Sequence, residues 1–184
     1  MQLPSYEQAI DMLYKFGCGP DVIFHCVQVS RKATELAEKI KARGSDVNIE
    51  LVKIGGLLHD IGRCKTNDPA HAVFSVEILR QQQLPDELIR IAQRHVGGGL
   101  TDDEAVRLGF PAGKYTPESL EEKIVCYADK LFHYKYDSNN RLERWIECDN
   151  ASLEIEKLKA KFGKDSSTWL RLQELEREIQ SMLV

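Results

Sequence analysis

The sequence lacks any apolar run as long as the roughly 18 residues that a membrane span needs. Its N-terminus, MQLPSYEQAIDML, also lacks the basic stretch and apolar run of a signal peptide. We therefore expect a cytoplasmic protein with no membrane partner. Polybasic segments are missing too, and the formal net charge is −4. Extended nucleic-acid binding is not expected, because it needs many Lys and Arg contacts to phosphates.

Cysteine is scarce and poorly spaced for structural chemistry. The five cysteines are odd in number, and no two form a C-x-x-C pair. This pattern argues against a disulfide framework or a zinc ribbon, and it is typical of reduced, scattered thiols. The 184 residues are 42% hydrophobic and 29% charged, which suits one globular domain with a small appendage.

Sustained period-2 alternation is also absent, whereas apolar residues recur at steps of three and four. We therefore predict an all-α fold. The run over 49–59 also allows a buried strand, although Gly55 and Gly56 disfavour one. Thr101 and Glu104 have the spacing of a capping box that opens a short helix. The other predicted helices cover 5–16, 20–43, 49–59, 69–83, 86–96 and 117–135, and two more cover 138–184 with a break near Gly163.

Only five histidines occur, and four of them lie beside predicted apolar stripes or at helix ends. Two aspartates share these positions, and an unpaired carboxylate on a buried face costs several kcal/mol. A divalent cation would satisfy all of these groups together, and imidazole plus carboxylate suits Mn, Fe, Co, Ni or Zn. One buried histidine alone is more often a core residue, and Asp129 alone could pair with Arg94. The candidate ligands are His25, His59, Asp60, His71, His95 and Asp129.

These residues carry a resemblance to a known family. The segment GLLHDIGR at 56–63, with His25 upstream and YADKL at 127–131 downstream, resembles the HD superfamily in its HDIG variety. HAVFSVEIL at 71–79 and RHVGGGL at 94–100 match the places where two-metal members carry extra histidines. The resemblance covers about 20–135 and implies an HD-domain helical bundle.

The resemblance implies a domain division and a set of ligands. Residues 1–135 would form the HD domain, and 136–184 a C-terminal helical extension that packs on the core or forms a homodimer contact. Asp60 would be shared between a first metal and a possible second one. The first metal would be held by His25, His59, Asp60 and Asp129, and the second by Asp60, His71 and His95.

Two positions depart from the family pattern. Val96 stands where many two-metal phosphodiesterases have a further histidine, which puts the second metal in doubt. Arg63 stands where many HDIG proteins have lysine, and the two are not equivalent. Glycines 97–99 either present backbone N–H groups to a phosphate or only end a helix.

Positive side chains near the motifs are candidates for binding a substrate phosphate. Lys130 directly follows Asp129, and on a continuing helix it would point about 100° away from that carboxylate. Each of these side chains could instead be an ordinary surface charge. The candidate phosphate-binding residues are Arg63, Lys65, Arg94 and Lys130.

The resemblance implies a metal-dependent phosphohydrolase, either a phosphomonoesterase or a phosphodiesterase, acting on a small and nucleotide-like phosphate ester. Its nucleophile would be a metal-bound hydroxide, which Asp60 orients as the catalytic residue. Two alternatives stay open. One is a mixed-valent di-iron oxygenase of the HD superfamily, and the other is a regulatory or binding module with a vestigial metal site.

Overall fold

The computed structural model describes residues 2–138, 142–162 and 167–184. Within these ranges the chain is predominantly helical, as predicted from the sequence. No helix in this part of the chain is both long and apolar enough to cross a membrane. The elements are α1 Tyr6–Lys15, α2 Pro20–Ala42, α3 Ile49–Leu58, a 3₁₀ turn Ile61–Cys64, α4 His71–Gln81, α5 Asp86–Arg94, α6 Asp102–Arg107, α7 Leu120–Asp129, β1 Phe132–Tyr136, β2 Leu142–Glu147, α8 Ser152–Phe162 and α9 Ser167–Ser181.

Polar caps define where several helices begin. The side chain of Asn48 accepts a hydrogen bond from the backbone N–H of Leu51 in α3. The helical interpretation of 49–59 is therefore confirmed. Thr101 and Glu104 form the predicted capping box at the start of α6, in which each side chain accepts a hydrogen bond from the other residue's backbone N–H.

The core forms around α3, which lies between α2, α5 and α7. The close approach of α2 and α5 to α3 depends on two glycines of α3. A Cβ atom at Gly56 would lie 2.6 Å from the Cα atom of Ser30 in α2, and one at Gly55 would lie 2.6 Å from the side chain of Ile91 in α5. The absence of side chains at these two positions lets the neighbouring helices pack directly on the C-terminal half of α3, where His59 follows.

The helix predicted over 117–135 is shorter at both ends. Ser119 and Glu122 form a capping box that opens α7, so the helix begins at Leu120. It stops at Asp129, and the chain then forms an antiparallel hairpin of β1 and β2. The prediction of helix beyond Asp129 is therefore wrong.

The hairpin also replaces helix that was predicted after residue 138. The segment LERWIE is strand β2, and not part of a helix. Trp145 of β2 lies opposite Tyr134 of β1, and its ring meets Phe24 of α2 at a centroid distance of 5.3 Å. The hairpin therefore packs against the N-terminal half of α2.

The two predicted C-terminal helices are present as α8 and α9, and their apolar residues join the main core. The predicted break at Gly163 lies outside the described residues. Helix α9 also packs on the glycine segment 97–99. A Cβ atom at Gly98 would lie 2.6 Å from the backbone nitrogen of Leu172, and Arg171 donates hydrogen bonds to the carbonyl oxygen of Gly99. These contacts give the glycine segment a packing role.

Candidate metal centre

Six side chains that the sequence singles out converge where several helices end. His25 lies within α2, whereas His59 and Asp60 directly follow α3. Burial is nearly complete at the last two, since His59 is 0% exposed and Asp60 is 1% exposed. The remaining three come from the first residue of α4, the residue after α5 and the last residue of α7, and they are His71, His95 and Asp129.

Asp60 lies at the centre of this arrangement. Its Oδ2 atom is 3.4 Å from Nε2 of His25 and 3.6 Å from Nε2 of His59. Its Oδ1 atom is 3.0 Å from Nε2 of His71 and 3.3 Å from Nε2 of His95. The two oxygens of one carboxylate therefore face two separate pairs of imidazoles.

Asp129 completes the first of these groups. Its Oδ1 atom lies 2.9 Å from Nε2 of His25 and 3.6 Å from Nε2 of His59. The first group thus holds two imidazoles and two carboxylates, and the second group holds Asp60 with two other imidazoles. Within each group, one ligand atom from each of three residues lies within 4.8 Å of the others: His25, His59 and Asp60 in the first, and Asp60, His71 and His95 in the second.

Backbone hydrogen bonds orient three of the four imidazoles. In each, Nδ1 faces a carbonyl oxygen three residues earlier, and an Nδ1–H that donates to it leaves the lone pair on Nε2. Nε2 is the atom that faces Asp60 in every case. The bonds are those of His59 to Gly56 (2.8 Å), His71 to Asp68 (2.6 Å) and His95 to Ala92 (2.8 Å).

The buried polar atoms of this cluster fit a divalent cation. Nε2 of His59 and Oδ1 of Asp60 are buried and have no hydrogen-bond partner among the described residues. Nε2 of His71 lies 2.9 Å from Nε2 of His95, so two lone pairs would face each other. A buried group without a partner is costly, and a cation between these atoms would satisfy all of them. The donor set is compatible with a divalent metal and does not select one metal.

The protonation states also favour cation binding. Burial opposes ionisation of Asp60, but the attraction of His59 and the close approach of two other imidazoles and of Arg63 hold its pKa well below the ordinary value. Burial likewise opposes ionisation of Asp129, and the neighbouring Lys130 ammonium and the histidines hold its pKa well below the ordinary value. Burial lowers the pKa of His95 to about 4, which keeps the imidazole neutral near pH 7.

A cavity of about 300 Å³ opens onto the first group. His25, Asp60 and Asp129 line it, whereas His59, His71 and His95 do not. A larger cavity of about 1070 Å³ lies between the N-terminal segment and the ends of α3 and α4, and it contains none of the six residues. The smaller cavity is lined by Asp21, Val22, His25, Asp60, Arg63, Asn67, Asp129, Lys130, Phe132, Tyr134 and Glu154.

Two of the four predicted phosphate-binding residues line this cavity. Nε of Arg63 lies 2.5 Å from Oδ2 of Asp60. Nζ of Lys130 contacts the carboxylate of Asp129. The expectation that Lys130 points away from this carboxylate is wrong, because α7 ends at Asp129 and Lys130 no longer belongs to a continuing helix.

The other two predicted phosphate-binding residues lie elsewhere. Lys65 is exposed and does not line the cavity. Arg94 is 8% exposed, and its guanidinium lies 2.7 Å from Glu118 and 2.8 Å from Glu122. This ion pair joins the end of α5 to the start of α7, just before His95. The sequence predicts that Arg94 binds a substrate phosphate, whereas in the structure its guanidinium binds the buried carboxylate of Glu122.

Tyr134 is a site residue that the sequence analysis missed. Its hydroxyl oxygen lies 2.6 Å from Nδ1 of His25. A side chain of the hairpin thus orients the ring of His25, as backbone carbonyl oxygens orient the other three imidazoles. The hairpin is held against α2 by Glu147, which pairs with Arg31 and Lys32 at 2.5 and 3.1 Å. The alternation of aromatic residues at 132, 134 and 136 was the available signal, since it is typical of a strand.

Replacing Tyr134 with phenylalanine should weaken binding of the cation at the first group by about 10- to 100-fold, since His25 loses the partner that orients its ring. Isothermal titration with Mn²⁺ measures this, and the second group should keep its affinity. Tyr14→Phe is the control, because Tyr14 is 65% exposed. Equal Mn²⁺ affinities in wild type and Tyr134→Phe would show that the hydroxyl does not orient His25.

The model of the HD domain family matches residues 22–132. The chain belongs to the HD domain family. An uncharacterized protein of Methanocaldococcus jannaschii is 40% identical over 179 residues, which cover 97% of this chain and 99% of that relative. The resemblance inferred from the HDIG segment is therefore confirmed.

A second relative of this HD-domain chain is a longer protein, and a solved structure of low sequence identity has a similar fold. A tRNA (cytidine(56)-2'-O)-methyltransferase of Thermoplasma volcanium is 40% identical over 130 residues, which are 71% of this chain and 37% of that protein. The HD domain of the L. monocytogenes phosphodiesterase PgpH has a similar fold, with a TM-score of 0.50 and 18% identity over 95% of this chain and 96% of that one. The second likeness supports the fold.

Proposed function

We propose that this HD-domain chain is a metal-dependent phosphohydrolase that cleaves a small, nucleotide-like phosphate ester as a phosphomonoesterase or phosphodiesterase. The observation that carries the proposal is that each carboxylate oxygen of Asp60 faces a separate pair of imidazoles. The same carboxylate lies at a cavity lined by Arg63 and Lys130. Membership of the HD domain family supports it, and a domain of similar fold belongs to a protein named as a phosphodiesterase.

The ligands proposed for the cations are those of the two groups. When bound, divalent cations lower the pKa of a coordinated water and polarise phosphoryl oxygens. Asp60 would fix the relative positions of the two groups, because its side chain is buried and each of its oxygens faces one of them. The first group would use His25, His59, Asp60 and Asp129 for one cation, and the second would use Asp60, His71 and His95 for another.

The chain supplies two positive side chains for the developing charge on a phosphoryl group. Arg63 and Lys130 stand on the cavity wall beside the two aspartates, where preorganised donors stabilise a transition state without moving. Arg63 presents several N–H groups in a plane that matches phosphate oxygens, whereas Lys130 acts as a point charge. We expect both to contact the scissile phosphate.

The test is elemental analysis of the purified protein together with assays on p-nitrophenyl phosphate and bis-p-nitrophenyl phosphate, each with added Mn²⁺, Co²⁺, Ni²⁺, Zn²⁺ or Fe²⁺. We expect at least one ester to be cleaved with at least one metal, and His71→Ala to lose metal and turnover. Glu87→Ala is the control, because Glu87 is exposed on α5, belongs to neither group and does not line the cavity. Oxygen consumption with two bound irons and no ester cleavage would contradict the proposal.

A further inference from the structure

Two carboxylates that do not belong to the metal centre line the cavity. Asp21 in the first turn of α2 and Glu154 in the first turn of α8 both line it. Among the described residues that line the cavity, the cationic side chains are Arg63 and Lys130. Each of these already pairs with an aspartate of the metal centre. Among the described lining residues, positive charge therefore lies only beside the two aspartates of the metal centre.

The carboxylate of Glu154 lies near Lys157 and His133, but neither is within ordinary hydrogen-bond distance of it. Its carboxylate lies 4.0 Å from Nζ of Lys157, and that ammonium is hydrogen-bonded to Nδ1 of His133 at 2.7 Å. His133 itself lies 3.7 Å from the Glu154 carboxylate through the same Nδ1 atom. Both separations exceed ordinary hydrogen-bond length, so the carboxylate keeps acceptor capacity toward the cavity.

Apolar and aromatic side chains form another part of the same wall. Val22, Phe132 and Tyr134 line the cavity together with Glu154. The ring of a sugar or nucleoside packs favourably against an aromatic surface, and its hydroxyl groups donate hydrogen bonds to a carboxylate. The combination suits a sugar or nucleoside rather than a second phosphate.

We propose that Glu154 selects substrates whose scissile phosphate is attached to a neutral, hydroxyl-bearing group such as a nucleoside, and rejects those in which that group carries a second phosphate. This inference rests on the proposed phosphohydrolase function and narrows its substrate class. A second phosphate would lie near the Glu154 carboxylate, and like charges a few ångströms apart repel even when water screens them. A sugar hydroxyl at the same place would instead form a charge-assisted hydrogen bond.

The experiment compares pairs of esters that share the scissile bond and differ by one phosphate. Adenosine 5′-monophosphate is paired with adenosine 3′,5′-bisphosphate, and thymidine 5′-(4-nitrophenyl phosphate) with its 3′-phosphate. We expect wild type to favour the singly phosphorylated member by about tenfold or more in kcat/KM. Glu154→Lys should reduce this preference by about tenfold, and Glu154→Gln should reduce it by a smaller factor.

Glu156→Lys is the matched control, because Glu156 lies on the same helix, is 69% exposed and pairs with Lys159. It should leave the preference unchanged, and circular dichroism should show the same helix content in all variants. Equal preference in wild type and Glu154→Lys, or no preference in wild type, would overturn the inference while esters are still cleaved. Failure to cleave any ester with any metal would instead overturn the proposed function.

Discussion

Replacing Asp60 with asparagine should lower ester turnover by about a thousandfold or more and reduce the bound metal to less than about half of the wild-type content. The reason is geometric, because both oxygens of the carboxylate face imidazole nitrogens, at 3.0 and 3.3 Å on one side and 3.4 and 3.6 Å on the other. An amide removes the negative charge and turns one acceptor into a donor. Arg63 also loses its ionic partner.

The measurement is metal content by elemental analysis together with kcat/KM on the ester that wild type cleaves best. Asp103→Asn is the matched control, because Asp103 is exposed on α6 and does not line the cavity. It should match wild type in both readouts. An Asp60→Asn protein that retains both its metal and its turnover would contradict the roles assigned to this carboxylate.

Gly62→Ala should destabilise the protein by about 3 kcal/mol or more and weaken metal binding at the same time. A Cβ atom at Gly62 would lie 2.5 Å from the backbone nitrogen of Ser75 and closer still to the carbonyl oxygen of His71. Both are backbone atoms, so α4 or the 3₁₀ turn must move. Such a shift separates Asp60 from His71, because the two residues lie on the elements that are forced apart.

The expected fall in the thermal midpoint is roughly 6–12 °C for a chain of this size. Gly19→Ala is the control, because a Cβ atom there meets nothing within 4 Å and its φ is −66°. Its cost should stay below about 1 kcal/mol, since only the helix-capping preference changes. Thermal unfolding followed by circular dichroism measures both variants. Equal midpoints in the two would show that the 3₁₀ turn and α4 adjust freely.

The helices and the candidate ligands could be predicted because their signals are local. Polar caps such as Asn48 and Thr101 mark helix starts within three residues, and apolar periodicity identifies the buried faces. Histidine is rare in this sequence, so four imidazoles beside apolar stripes stand out. The order of His25, the HDIG segment and Asp129 then points to the family, and it is those residues that the fold brings together.

The hairpin escaped prediction because its local signal, the alternation of aromatic residues at 132, 134 and 136, is short, and because its packing depends on contacts with distant segments. The apolar periodicity of α7 continues through Phe132, and no residue in the preceding turns marks the end of the helix at Asp129. Tyr134 and His25 are 109 residues apart in the sequence. The apolar periodicity of one segment carries no information about a contact between residues so far apart.

The role of Arg94 also depends on a distant partner. Arg94 is basic and adjacent to His95, yet its partner Glu122 lies on another helix. Charge alone could not distinguish a buried ion pair from a phosphate contact.

The most direct test of the metal centre is a crystal structure of the protein with Mn²⁺, with anomalous difference maps recorded for the metal. We expect two peaks on opposite sides of the Asp60 carboxylate, one among His25, His59 and Asp129 and the other between His71 and His95. Ordered side chains in excess Mn²⁺ with no peak beside Asp60 would contradict the account.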